Sequence, residues 1–264
     1  MTEKPEGVGR EVLYEIVDQH IAVVSLNRPE KRNAVNGALA AALEYIVKQI
    51  EADDEIWVAI LTSSNDKVFC AGADLAEISA GRGGLMTKDG GFAGFVDAKR
   101  VKPWIAAVRG SALAGGCELS LACDMIVAEP GSGFGLPEVK RGLLAAAGGV
   151  HRLPRALPRN IALELIATGE PLSADRAYAL GLINRLTDAS NVLPEALALA
   201  RKITSNAPIS VRESLRVARI SAEHSDADLR KISTEASRTV MSSADSREGP
   251  RAFVEKRAPV WTGR

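Results

Sequence analysis

Two glutamates stand where a merely solvated side chain has little reason to be. Glu118 closes the stretch GSALAGGCE, directly after Gly115, Gly116 and Cys117, and Glu138 follows the proline of FGLPE in an otherwise apolar turn. If both carboxyls face one cleft, burial and mutual repulsion keep one of them protonated near neutral pH. One acid and one base can together move a proton. Taken singly, each residue reads more readily as a solvated glutamate at a helix start.

The glycines around them add a second function. Gly115 and Gly116 open a predicted helix, where the first N–H groups have no intrahelical acceptor and carry the positive end of the helix dipole. The stretch FCAGADL, residues 69–75, places a second glycine between a strand and a helix start. Two such turns can offer one N–H each to the same carbonyl oxygen; a donor of this kind is worth about 2.7–4 kcal/mol in a serine protease. Either turn alone reads as tight packing. With the two acids beside them, they equip a site for proton transfer at the carbon next to a thioester carbonyl.

Other candidates are weaker. Asp74 and Asp124 read as structural acids at a helix start and a strand start, and His151 as a surface or packing residue. Ser111 has no histidine in a nucleophile pattern. No phosphate-loop or dinucleotide fingerprint occurs. The three histidines are scattered, which disfavours a metal site, and Cys70, Cys117 and Cys123 read as small buried thiols.

The elements that must position these groups follow from hydrophobic pattern. Residues 12–17 and 21–26 form a β-hairpin, and 37–51 repeats Leu39, Leu43, Ile46, Val47 and Ile50 at helical spacing. Short buried strands are predicted at 57–61, 104–108 and 125–128, with 110–116 a turn leading into the helix of Glu118. Strand, turn, helix and strand again predicts βαβ units and a mostly parallel sheet. The glycine-rich residues 81–94 read as a mobile loop. Beyond Gly148, helices are predicted at 161–167, 174–180, 192–205, 209–224 and 226–241, with a strand at 182–186. This gives a helical tail of the sort that packs on a neighbouring subunit. No internal sequence repeat is visible.

The 264 residues suffice for a sizeable core, and 33 basic residues balance 33 acidic ones. That balance argues against a nucleic-acid or anionic-membrane partner. The polar first ten residues lack the apolar core of a signal peptide, and no apolar run reaches bilayer length. The expectation is a cytoplasmic protein with reduced cysteines.

Three segments in this order and spacing, FCAGADL, KPWIAAVRGSALAGGCELSLACD and FGLPEVKRG followed by a Gly-Gly pair, resemble the crotonase superfamily of enoyl-CoA hydratases and isomerases. The similarity runs from NRPEKRNAV to EGPRAFVEKR, nearly the whole chain. The resemblance implies an α/β fold, a spiral of ββα turns, with a core over residues 1–200 and a helical trimerisation region over 201–264. It implies that Ala73 and Gly115 supply the two backbone donors of an oxyanion hole. Glu118 matches the glutamate that helps activate water, and Glu138 the one that supplies the α-carbon proton. Coenzyme A is expected along Ala71, Asp74, Leu75 and Ala76, near Arg28 and Lys31, with Phe253 and Lys256 reaching it from an adjacent subunit of a homotrimer or hexamer. No cofactor or metal is implied beyond the acyl-CoA substrate itself. The presence of both acids favours hydration of a 2-enoyl-CoA to a 3-hydroxyacyl-CoA. Two departures, Ala145-Ala146 in place of a Pro-Gly pair and Ala114 in place of a glycine, leave open an isomerase or a carnitinyl-CoA-dehydratase-like reaction. A non-catalytic CoA- or RNA-binding trimer is the remote alternative.

Overall fold

A computed structural model describes residues 5–264. The chain begins with the hairpin β1 (Val12–Asp18) and β2 (Ile21–Leu26), then helix α1 (Gly37–Ala52). Three turns of a spiral follow, each with a strand in one sheet, a short strand in a second sheet, and a helical start. The first is β3 (Val58–Ser63), β4 (Val68–Cys70) and α2 (Leu75–Ser79). The small hairpin β5 (Met86–Thr87) and β6 (Gly91–Phe92) leads to the second turn, β7 (Trp104–Val108), β8 (Ser111–Leu113) and α3 (Gly115–Leu121). The third is β9 (Met125–Ala128), β10 (Gly133–Gly135) and the 3-10 turn Pro137–Arg141. Then come α4 (Gly149–Ala156), α5 (Arg159–Thr168), β11 (Leu172–Ser173), α6 (Ala174–Ala179) and β12 (Arg185–Leu186). Four helices complete the chain: α7 (Val192–Thr204), α8 (Pro208–Arg219), α9 (Asp226–Ser242) and α10 (Asp245–Glu255).

The first sheet has the order β1-β2-β3-β7-β9-β12, parallel except for the β1–β2 hairpin. Its inner strands β2, β3, β7 and β9 are apolar on both sides because both faces are covered. Ala22, Val24, Leu26, Ala59, Leu61, Trp104, Ala106 and Val108 join the main core, which includes the buried stripe of α1. The alternate residues Ile21, Val23, Val58, Ile60, Ile105, Ala107 and Val127 meet Val192, Ala196 and Ala200 of α7. The strand period of two thus divides each strand between two cores. Lys102, buried, donates its ammonium protons to the carbonyls of Ile50 and Asp53 at the C-terminal end of α1, where a cation is favoured.

The second sheet, β11-β10-β8-β4, was not legible as such in the sequence. Residues 110–116, expected as one turn, contain β8, and the segment before Glu138 contains β10. Because β4, β8 and β10 are parallel neighbours, their carboxyl ends lie along one edge. The turns leaving that edge are 71–74, 114–115 and 136–138. Ligands in open α/β folds bind at such carboxyl ends. The glycine-rich segment also differs from expectation. Residues 81–89 are largely exposed, but 90–96 are buried, with Phe92 and Phe95 inside the core.

Helix α8 ends at Arg219, five residues before the expected 224, and the predicted strand 182–186 shortens to two residues. Arg219 ties the C-terminal helices to the core. It grips both carboxylate oxygens of Asp124, at 2.7 and 2.8 Å, and donates to the carbonyls of Arg100 and Lys102. Beyond it, α9 buries only Ala236 and exposes Met241, whereas α1 buries seven residues. No helix among the described residues is long and apolar enough to cross a membrane.

Candidate active site

The turn after β4 rests on the NRPEKRNAV segment. Asn33, fully buried, accepts the Arg28 N–H at 2.7 Å and donates to the Phe69 carbonyl at 3.0 Å. The Ala71 N–H donates to the Arg32 carbonyl. Val35 then holds the turn from one side only: its N–H donates to Gly72 O at 2.8 Å, and its carbonyl accepts from Asp74 at 2.9 Å. In extended backbone successive N–H groups point to opposite sides, so the Ala73 N–H faces away from Val35. It has no acceptor among the described residues.

The turn after β8 meets it. Gly72 has φ +91°, and a Cβ built there would fall 2.8 Å from Ala114 Cβ and 3.0 Å from Gly115 N. Only glycine lets the two turns touch. A Cβ on Gly115 would strike the Phe92 ring at 2.4 Å, and one on Gly116 the Cys70 carbonyl at 2.0 Å. Close packing and donor placement are therefore the same requirement here. The Gly115 N–H, at the start of α3, likewise lacks an acceptor among the described residues. Ala114 itself sits at φ 51°, ψ −127°, a backbone conformation natural to glycine. It is held by its N–H on Gly135 O and its carbonyl on Glu118 N–H.

Glu118 is 3% exposed, one helical turn into α3. Its Oε1 accepts the Gly149 N–H at 2.9 Å, from the start of α4. Burial, and then the Glu138 charge, push its pKa up to about 7, against the pull of Gly149, Ala147 and Arg152. Glu138 arrives by the 3-10 turn after β10. Its Oε2 is buried with no hydrogen-bond partner among the described residues. Burial raises its pKa, opposed by its own backbone N–H and by Arg141.

These groups line one cavity of about 440 Å³. Its wall includes Ala71, Ala73, Leu75, Gly115, Glu118 and Glu138, all foreseen from sequence, and Ala146. Arg32, Phe92, Leu113, Arg141 and Leu144 also line it and were not foreseen. The one signal for Arg32 is its left-handed φ of 54°, which only structure reveals. Arg28, Lys31, Asp74 and Ala76 are not on the wall. Arg28 turns inward to Asp74 (3.2 Å) and Glu11 (3.6 Å), and Asp74 also caps α2 through the Glu77 N–H. Phe253, 84% exposed, lies on α10, with Lys256 at that helix's C-cap; neither reaches this cavity.

A spiral of strand–strand–helix turns that brings two free N–H groups and the carboxyls of Glu118 and Glu138 to one cavity is a crotonase fold. The Enoyl-CoA hydratase/isomerase family model matches residues 17–264, and the chain belongs to that family. It superposes on the crystal structure of enoyl-CoA hydratase from Mycobacterium tuberculosis H37Rv with a TM-score of 0.92, at 44% identity, over 96% of this chain and 99% of that one. It is 38% identical to carnitinyl-CoA dehydratase of Salmonella typhi over 252 residues, 92% of this chain and 95% of the relative. It is 35% identical to short-chain-enoyl-CoA hydratase of Clostridium acetobutylicum over 244 residues, 90% of this chain and 92% of the relative.

Proposed function

We propose that the chain is a 2-enoyl-CoA hydratase, adding water across the C2–C3 double bond to give a 3-hydroxyacyl-CoA. The observation that carries this reading is the convergence of Glu118 and Glu138 on one cavity, beside the free Ala73 and Gly115 N–H groups. The thioester oxygen takes those two N–H donors, which stabilise the enolate formed as water adds at C3. Glu118, held by Gly149 and half ionised near neutral pH, accepts the water proton. Glu138, its carboxyl desolvated and raised in pKa by burial, delivers a proton to C2. Both line the same cavity, and the proposed addition is syn.

Coenzyme A follows Ala71 and Leu75, with Arg32 as a cation on that wall. Arg28 and Asp74 support this strip from beneath, and Lys31 and Ala76 lie outside it. Phe253 and Lys256 serve a neighbouring subunit's site in a trimer or hexamer; the exposure of Phe253 and Val254 on α10 supports this. A second reading, dehydration of a polar 3-hydroxyacyl-CoA, is favoured by Arg141 on the cavity wall and by the likeness to carnitinyl-CoA dehydratase. The two differ in acyl group, so incubation with straight-chain 2-enoyl-CoAs of four to sixteen carbons beside a polar 3-hydroxyacyl-CoA, with products identified by mass spectrometry, separates them. The hydratase reading expects gain of one water on straight-chain substrates. Isomeric products with no added water would overturn it.

A further inference from the structure

Arg152 has no part in the chemistry above, yet it touches both segments that wall the acids. From α4 its guanidinium folds back over its own helix start. Nη1 donates to the Ala147 carbonyl at 3.0 Å, and Nη2 to the Val96 carbonyl at 2.7 Å, with an Asp97 oxygen 3.7 Å away. Ala147 lines the cavity, and Val96 follows Phe92, whose ring lies against Gly115. Between them, Gly148 has φ +112°, and a Cβ there would lie 1.9 Å from Arg152 Nη1. The guanidinium thus fills the space that a side chain at 148 would need. The next N–H along the chain is that of Gly149, the donor to Glu118.

We propose that Arg152 is the positioning residue for Glu118: it clamps residues 147–149 so that the Gly149 N–H stays on the carboxyl, and it places a positive charge beside it. The inference rests on the hydratase reading, in which Glu118 must be ionised to take a proton from water. The charged groups facing Glu118 are Glu138, from the 3-10 turn, and Arg152, from α4; Asp97 and Arg155 lie on the other side of Arg152. Removing a cation and loosening an N–H donor both disfavour the carboxylate, so each raises the Glu118 pKa. The far side of Arg152 lines an open cavity of about 840 Å³ with His151 and Arg219, wide enough to admit a small solute.

The test compares Arg152→Gln, Arg152→Lys and Arg152→Ala with wild type on crotonyl-CoA. The Gln variant is expected to lose kcat on the order of 10²-fold, the scale of a small misplacement of a reacting group. KM should stay within about twofold, because Arg152 is off the cavity wall, and the acidic limb of kcat/KM should move to higher pH. Lys should recover much of the loss, and millimolar guanidinium should partly rescue the Ala variant. A rise in KM with unchanged kcat, or a fall in kcat with the limb unmoved, overturns the inference. Independently, ¹³C-glutamate-labelled protein gives the Glu118 carboxyl titration, assigned with Glu118→Gln. A titration no higher in Arg152→Gln than in wild type, with the variant checked as folded by circular dichroism, also overturns it. This readout needs no turnover. If wild type hydrates no acyl-CoA, the hydratase reading fails while the titration still decides the role of Arg152.

Discussion

Glu118 and Glu138 reach the same cavity by opposite means. Glu118 sits on a regular helix, α3, whose residues 115–120 are all buried, and a backbone N–H from α4 fixes its Oε1. Glu138 sits on a 3-10 turn with no buried residue, between Pro137 and the left-handed Gly142, and its Oε2 has no partner among the described residues. One carboxyl is oriented by the fold before substrate arrives. The other is desolvated and left for substrate to satisfy. In the proposed hydration, this suits Glu118 as an oriented base that holds the water and Glu138 as a loosely held acid that follows the α-carbon.

The strongest way to break the comparison is to remove each acid. Glu118→Gln and Glu138→Gln are each expected to lower kcat by about 10²–10⁴-fold, measured by loss of the conjugated thioester absorbance of crotonyl-CoA. Equal activity in either variant would end the assignment of that role. The donors come next. Gly72→Val places atoms against Gly115 N and should cost about 10²–10³-fold in kcat, with the circular dichroism spectrum retained. A variant that raised KM alone would show that this N–H binds substrate without stabilising the transition state.

The environment of Glu118 has a consequence for stability. Because its pKa is raised in the folded chain, the native state holds its proton more tightly than the unfolded state does. Its stabilising contribution is full below the unfolded carboxylate range and is lost as pH rises through about 7. Glu118→Gln should therefore stabilise the protein at pH 8 by on the order of 3 kcal/mol, and little at pH 4, read as the Tm difference from wild type at each pH. A difference independent of pH would contradict the buried, raised carboxyl. The smallest effect concerns the head of the same helix. Ala114→Gly relieves a glycine-like conformation and should raise stability by about 1 kcal/mol in urea unfolding, with the hydration rate close to wild type.

What the sequence made legible was the first sheet and the chemistry at its turns. Runs such as Ile21–Leu26 and Trp104–Val108 are long enough for their composition to mark a strand, and α1 repeats its apolar residues over four turns. Strands β8 and β10 have three residues each, β8 following Gly110 and β10 beginning and ending in glycine, too short for a period of two to register. Their pairing partners are far away in sequence, so the second sheet and the three-turn spiral surfaced only in three dimensions. Gly115, Glu118 and Glu138 were readable because a glycine pair and acids in apolar turns are unusual, whereas Ala71, Ala73 and Leu75 came only from the resemblance to the crotonase superfamily. Arg152, Gly149 and Arg32 were not. Their contributions are made by a folded-back guanidinium, a backbone N–H and a left-handed residue, none of which has a local signature. Arg28 and Asp74 share the motif strip with the cavity wall, but their opposite charges turn them towards each other.

The most direct test of the paired-acid account is hydration of crotonyl-CoA in D₂O, with the label located by NMR. The account predicts 3-hydroxybutyryl-CoA with a single deuterium at C2, on the face to which the hydroxyl adds, and no incorporation by Glu118→Gln or Glu138→Gln. Deuterium at C4, or labelled product from either variant at the wild-type rate, would contradict it.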